Sequence, residues 1–114
     1  MPDTAWKDLE RQAAALFGGH RSWANSGARL DFVAPGTIGQ CKLVKRLSLE
    51  ALTQLAEEME REALPRQKAG VVVVKVRRGK GRASPLLVVC TEAVWRHLNG
   101  DATGHGAPSR GEMR

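Results

Sequence analysis

The spacing of apolar and polar residues changes along the chain, and it divides the chain into predicted helices and strands. Apolar side chains recur every three or four positions over residues 4–17 and again over 49–63, which predicts two helices with one buried face each. Two short apolar runs flank Pro35-Gly36, which predicts a hairpin. The continuous apolar run 71–76 predicts a strand covered on both faces, with 86–90 as its partner.

The predicted helices have recognisable ends. Thr4 is expected to cap the first helix, which Gly18-Gly19 ends, and Ser48 is expected to cap the second. Thr91 is expected to cap a short last helix. The residues expected to face the core are Trp6, Leu9, Ala13, Leu16 and Phe17 in the first helix, Leu49, Leu52, Leu55, Ala56, Met59 and Ala63 in the second, and Val94, Trp95 and Leu98 in the last.

The order of these elements predicts a single α/β domain. The chain runs helix, strand, hairpin, helix, strand, strand, helix, with the first strand expected at 20–24. A mixed sheet flanked by helices is the layered solution for such an order. A length of 114 residues suits one domain, placed at 1–98, and the Gly-, Pro- and polar-rich segment 99–114 is predicted to be a disordered tail.

Composition and charge indicate a soluble protein with a polyanionic partner. The net charge is +6 and the isoelectric point is about 10.0. No apolar run approaches membrane-spanning length, and the N-terminus lacks the pattern of a signal peptide, so a cytoplasmic protein without a membrane partner is expected. Cys41 and Cys90 lie in apolar runs without Cys-x-x-Cys spacing, which favours buried, reduced thiols.

The predicted hairpin carries the candidate chemistry. Because side chains on a strand alternate between its faces, Gln40 and Lys42 point the same way, and Cys41 points the other way. Asp31, on the preceding strand, reaches the same place if the two strands pair. A carboxylate, an amide and an ammonium group are poor core material, because unpaired polar groups resist burial. Together they suit a site for a hard cation and a phosphate.

The order Asp31, hairpin turn, Gln40-Cys41-Lys42 resembles the Asp…(Glu/Gln)-x-Lys motif of the restriction-endonuclease-like, or PD-(D/E)XK, nucleases. It is most similar to small Holliday junction resolvases of archaea and phages, and to Mrr-type nucleases, in which Gln-x-Lys replaces Glu-x-Lys. The resemblance covers residues 6–98. It implies an αβββαβ core, with a mixed central sheet flanked by helices, and a role in DNA recombination and repair.

The resemblance also implies a Mg²⁺-dependent DNA endonuclease that acts on branched DNA as a homodimer, with Mn²⁺ able to replace Mg²⁺. Asp31, the Gln40 amide and the Cys41 backbone carbonyl are the expected metal ligands, and Lys42 is expected to orient the attacking water. Pattern alone favours a solvated Glu10, whereas the family often carries a first-helix glutamate that reaches the metal. A glutamine in place of a glutamate removes one negative charge, so weaker metal binding is expected.

Basic and polar residues around this motif are candidates for DNA contact. Ser26 and Arg29 match a phosphate-contacting loop of the resolvases, with a simple polar loop as the alternative. Lys45 and Arg46 follow the motif directly, and Gln54 is either a surface residue or close to the site. The loop between the last two strands carries four basic residues, which either contact the DNA backbone or form a solvated turn that blocks aggregation: Arg77, Arg78, Lys80 and Arg82.

Two other functions remain open. One is a non-catalytic nucleic-acid-binding module that kept the nuclease fold and its basic surface. Another is an Mrr-like restriction nuclease, which would usually need a separate target-reading domain, for which we expect no room here. A catalytic role requires that Asp31, Gln40, Lys42 and Glu10 converge on one point, and a binding module does not.

Overall fold

The computed structural model describes residues 3–22, 30–79 and 82–100. The strand expected at 20–24 is seen only as His20–Arg21, since residues 23 and 24 lie outside the described part, as does the expected tail beyond residue 100. The elements are α1 (Asp3–Leu16), β1 (His20–Arg21), β2 (Phe32–Val33), β3 (Thr37–Val44), α2 (Leu49–Ala63), a 3₁₀ turn (Leu64–Arg66), β4 (Ala69–Val76), β5 (Leu86–Val89) and α3 (Glu92–Leu98).

Within the described residues, five strands form one mixed sheet in the order β1-β2-β3-β4-β5. The neighbouring strands β3 and β4 are parallel and joined through α2, whereas the other three pairs are antiparallel. A parallel pair needs a long crossover, and α2 supplies it. The predicted α/β class with a mixed sheet between helices is therefore confirmed.

Two apolar layers cover the two faces of the sheet. Helices α1 and α3 pack on one face, where Leu9, Ala13 and Val94 meet Cys41 and Val73. Helix α2 packs on the other face, through the buried side chains of Met59, Ala63, Ile38, Val72 and Val74. Adjacent β3 residues thus belong to opposite layers, which confirms the predicted alternation.

The hairpin between β2 and β3 is tight. The Ala34 N–H donates a hydrogen bond to the Thr37 carbonyl across Pro35-Gly36, as the sequence predicts, at 2.7 Å. In β3, Gly39 lies so close to the Phe32 ring that a Cβ atom would overlap it. A glycine there lets β2 lie flat against β3, which brings the segment before β2 alongside the middle of β3.

Several expected end and core positions are wrong. Helix α1 spans Asp3–Leu16, so the position expected to precede it, Thr4, lies within it. Leu16 is 57% exposed because Phe17 takes the core position at this end of α1 and stacks on Phe32. Leu49 is 79% exposed, since it starts α2 and the buried stripe begins later in the helix, at Ala56.

At the edge formed by β5 and α3, the strand pairing agrees with expectation and the packing of the helix does not. The run predicted as the partner of β4 does pair with it, as the antiparallel strand β5, which confirms that prediction. Strand β5 ends the described sheet, and its Leu87 and Val88 are half exposed. Trp95 and Leu98 are exposed as well, because the short helix α3 buries only Val94. The caps predicted at Ser48 and Thr91 are confirmed, since each side chain accepts a backbone N–H of its helix. Within the described residues, no helix is long and apolar enough to span a membrane.

Candidate active site

Asp31 is held at the point where the β2–β3 ladder ends. Its N–H donates to the Gly39 carbonyl at 2.8 Å, and its carboxylate accepts the Cys41 N–H at 2.8 Å. The hairpin brings these groups together, because the turn sets the register of Phe32 opposite Gly39. The backbone of β3 thus fixes the Asp31 carboxylate beside the strand rather than leaving it mobile in solvent.

Cys41 contributes its backbone and not its thiol. Within a strand, the N–H and C=O of one residue point to the same edge, so the Cys41 carbonyl faces the side on which Asp31 lies. The thiol is buried in the apolar layer under α1, and burial followed by the charges of Asp31 and Glu10 raises its pKa to about 12. It stays protonated and inert at neutral pH. The prediction of a free, buried thiol is confirmed here, whereas the free thiol of Cys90 is only partly buried.

Glu10 is buried, so the expectation of a solvated glutamate from the pattern alone is wrong. Only 8% of the residue is exposed. The Trp6 indole N–H donates to its Oε2 at 2.5 Å, and the Arg21 Nε–H donates to its Oε1 at 3.0 Å. A buried carboxylate needs such donors, because its charge is otherwise costly to remove from water. These two contacts connect α1 to β1 and hold the Glu10 carboxylate in place.

The carboxyl groups of Glu10 and Asp31 meet. Burial raises the pKa of Asp31, and both the charge of Glu10 and a side-chain hydrogen bond with it raise that pKa further. The Cys41 N–H and the Lys42 ammonium act in the opposite direction. Two acids in contact repel each other when both are ionised, and this arrangement costs stability unless a proton or a cation lies between them.

Lys42 and Gln40 complete the group from the other face of β3. Lys42 lies close enough for its charge to act on Asp31. Gln40 is two residues earlier on the same face, and its Oε1 atom is buried. The structure therefore brings Glu10, Asp31, the Cys41 backbone and Lys42 together, with Gln40 alongside Lys42.

The donor set fits a small, hard cation. Mg²⁺ prefers oxygen ligands and is usually held by one or two carboxylates, with waters and substrate phosphates in the other positions. Glu10 and Asp31 are two such carboxylates, the Cys41 carbonyl faces the edge of β3 beside Asp31, and the Gln40 amide lies one position earlier on β3. The described residues contain no group of three or more His, Cys, Asp or Glu side chains that could form a denser metal site.

The predicted DNA-contacting residues divide into those described and those not. Lys45 and Arg46 are exposed directly after β3, and Gln54 is exposed on α2. Arg77, Arg78 and Arg82 are exposed on the β4–β5 connection. Three further candidates lie outside the described residues: Ser26, Arg29 and Lys80.

Two residues of this site were not predicted from the sequence. Trp6 was expected only to pack in the core, although its spacing of four from Glu10 places the two on one side of a helix and was a usable signal. Arg21 reaches Glu10 from β1, across a turn. No local pattern announces that contact, because it depends on how β1 packs beside α1.

Comparisons with known proteins do not identify this arrangement. The chain matches no protein-family model, and searches among curated proteins and among solved structures give no match. Its function must therefore be inferred from the geometry of the site.

Proposed function

We propose that this protein is a metal-dependent DNA endonuclease of the restriction-endonuclease-like type, which cuts phosphodiester bonds in branched DNA such as four-way junctions. The contact between the carboxyl groups of Glu10 and Asp31, next to Lys42, carries the proposal. Such a pair is unfavourable in the free protein, and a divalent cation between the two groups would turn their repulsion into attraction. A module that only binds nucleic acid has no need for it.

The order of elements supports the same proposal. From α1 to β4 the chain runs α-β-β-β-α-β, the order that the family's core has. Asp31 directly precedes the second strand, and Gln40 and Lys42 lie in the middle of the third. Glu10 lies on the first helix, where the family often carries a glutamate that reaches the metal.

In this proposal, Asp31 and Glu10 bind Mg²⁺ or Mn²⁺, with the Cys41 carbonyl and the Gln40 amide as neutral ligands. When bound, the ion supplies charge that stabilises the phosphate in the transition state and acidifies a coordinated water. The Cys41 N–H keeps the Asp31 carboxylate oriented. The Trp6 and Arg21 donors hold Glu10 against it.

Lys42 has the remaining chemical role. Its charge acts on Asp31, so its ammonium is close enough to the site to donate a hydrogen bond to an attacking water or to a phosphate oxygen. Phosphates elsewhere in the DNA are bound by exposed cations outside the site. We assign this contact to Lys45, Arg46, Arg77, Arg78 and Arg82, and, on the resemblance alone, to Ser26, Arg29 and Lys80.

A homodimer is part of the proposal, because two symmetric cuts in a junction require two related sites. Strand β5 has no neighbour on its outer edge among the described strands, and Leu87 and Val88 are half exposed there. Antiparallel pairing of β5 with its copy would cover this edge about a two-fold axis. Analytical ultracentrifugation should show a dimer for the native chain and a monomer for Val88→Lys. A native monomer at micromolar concentration would remove the dimer from the proposal.

The central test is cleavage of labelled four-way junctions compared with linear duplexes of the same arm sequences. We expect paired nicks in the junction with Mg²⁺ or Mn²⁺, little cleavage of the duplex, and none with EDTA. Asp31→Asn should be inactive while it still binds DNA. If the native protein binds the junction but cuts neither substrate with either metal, the chain is a binding module and the endonuclease proposal is wrong.

A further inference from the structure

An open cleft lies between α1 and the β4–β5 connection, apart from the Glu10–Asp31 pair. Its volume is about 380 Å³. The residues around it include Gln12 of α1, Leu43 of β3, Lys75 of β4, and Arg77, Arg78 and Arg82 of the connection.

Among the described residues, positive charge predominates in this cleft. Four of its residues are cationic, and Asp8 is the acid among them. Asp8 already pairs with Arg11 at 3.0 Å. Among the described residues, no acid lies within ion-pair distance of the four cations. Four like charges this close repel one another, so the cleft favours an anionic occupant.

Hydrogen bonds fix the backbone that forms the walls of the cleft. The Arg77 N–H donates to the Val44 carbonyl at 2.6 Å, and the Ser84 hydroxyl donates to the Val76 carbonyl at 2.6 Å. Arg78 donates to the Ala83 carbonyl at 3.0 Å across the connection. These bonds fix both ends of the connection to the sheet and hold the Arg78 guanidinium against the connection.

Lys75 is the one of the four cleft cations that was not predicted from the sequence to contact DNA. It interrupts the valines of β4 and lies opposite Leu43 and Leu86, which pack on the layer under α1. Its stem can cover that layer while its ammonium reaches the cleft. Because Lys75 stands on a strand, its position is better defined than that of a loop cation.

The cleft and the candidate active site lie on opposite flanks of α1. Asp8 and Gln12 are four residues apart and share one side of the helix. Glu10 is two residues from each, a rotation of about 200° about the helix axis. The occupant of the cleft is therefore not the phosphate that meets Asp31.

We propose that this cleft binds the phosphodiester backbone of a nucleic acid away from the cleaved bond, with Lys75 and Arg82 as phosphate contacts. This inference rests on the proposed function for its choice of nucleic acid over another polyanion. Three of the four cations are arginines, whose planar forks suit phosphate oxygens. Contacts away from the cleaved bond govern affinity and leave the chemical step alone.

The test is a salt titration of junction binding, measured by fluorescence anisotropy. EDTA is present, so that binding is measured without cleavage. Lys75→Met keeps the apolar stem but removes the ammonium, and Arg82→Gln replaces an exposed guanidinium with a shorter, neutral amide. Each should lower the slope of log affinity against log salt by about one unit. Arg61→Gln is the matched control, because Arg61 is exposed on α2, on the other side of the sheet. It should leave the slope unchanged.

Other outcomes overturn the inference. An equal fall in slope for Arg61→Gln would show a general effect of net charge, and displacement of DNA by polyglutamate at matched charge would indicate an acidic protein partner. In a titration of junction concentration with Mg²⁺, Lys75→Met should raise the KM for cleavage, and an unchanged KM would contradict a phosphate contact at Lys75. If the native protein cleaves the junction but both variants keep the native salt slope, the proposed binding cleft is wrong and the endonuclease proposal stands. If both variants lower the salt slope but the native protein does not cleave, the endonuclease proposal is wrong and the cleft stands.

Discussion

Glu10 and Glu60 occupy comparable positions in their helices but have opposite surroundings. Each lies beside the apolar stripe of a helix that packs on the sheet. Glu60 accepts a hydrogen bond from the Thr91 hydroxyl at 2.8 Å, and Thr91 in turn caps α3. Glu10 is more deeply buried and meets a second acid, Asp31.

The difference separates a stabilising carboxylate from one kept for another purpose. A hydrogen bond to a charged group adds roughly 1.5–3 kcal/mol to stability, which Glu60 gains from a neutral donor at low cost. Glu10 receives similar donors from Trp6 and Arg21, yet it also disfavours the ionised form of its neighbour. Sites that put like charges together are enriched in function, because folding alone does not select them.

The largest expected effect on cleavage comes from replacing the carboxylates of the Glu10–Asp31 pair one at a time. Glu10→Gln and Asp31→Asn should each reduce junction cleavage by about 100-fold or more, since each removes an anionic ligand of the proposed metal. Glu60→Gln is the matched control and should leave cleavage within about twofold of the native rate. Single-turnover rates at saturating Mg²⁺ and DNA measure this. Equal losses for Glu10→Gln and Glu60→Gln would show that the two glutamates do not differ in function.

A second prediction adds charge where the site lacks it. Gln40→Glu should lower the Mg²⁺ concentration for half-maximal cleavage by about threefold to tenfold, because hard cations bind more tightly to a site with more anionic oxygens. The two side chains are nearly the same size, so folding should change little. A Mg²⁺ titration of both proteins is the measurement. An unchanged or raised midpoint would mean that Gln40 does not bind the ion.

The hairpin and its alternation could be predicted from the sequence because their signals are local. Pro35-Gly36 specifies the turn, and a period of two assigns Gln40 and Lys42 to one face without knowledge of the rest. The cap at Ser48 is equally local. Such signals also located Asp31 beside β3, since a tight turn leaves little freedom in register.

The burial of Glu10 and the exposure of Trp95 could not be predicted in this way. Both depend on where a helix lies on the sheet, which the period of a single helix does not encode. Arg21 is a partner of Glu10 only because β1 packs beside α1, and Trp95 is exposed because α3 meets the sheet through Val94. The pattern of a single helix identifies its buried stripe, but it does not show which residues contact the positions beside that stripe.

A third prediction concerns the stabilising glutamate. Thr91→Val removes both the hydrogen bond to Glu60 and the cap of α3, so the free energy of unfolding should fall by about 1–2 kcal/mol. Junction cleavage at a temperature where the variant is folded should be unchanged. Urea denaturation measures the first quantity and single-turnover kinetics the second. A stable variant that has lost cleavage would place Thr91 with the active site instead.

The smallest effect is a gain of stability on removing the charge of Asp31. Its pKa in the folded protein lies above the ordinary value of 3.8, first because of burial and then because of Glu10. Between those two pH values the folded state binds more protons than the unfolded state, so the free energy of unfolding falls as the pH rises through this window. Above this pH window, Asp31 is fully ionised in the folded protein, and the native protein bears the full loss of stability from its burial and from the charge of Glu10.

Asp31→Asn lacks this cost. The amide oxygen can still accept the Cys41 N–H, and the amide N–H can donate to Glu10. In EDTA at neutral pH the variant should therefore melt a few degrees above the native protein, and the difference should shrink as the pH falls toward 3.8. Added Mg²⁺ should reverse the order, because a ligand at ten times its Kd stabilises the native site by about 1.4 kcal/mol and leaves the variant unchanged. Thermal melts of both proteins with and without Mg²⁺ measure this. A variant that is less stable than the native protein in EDTA at neutral pH would show that Asp31, like Glu60, serves the fold.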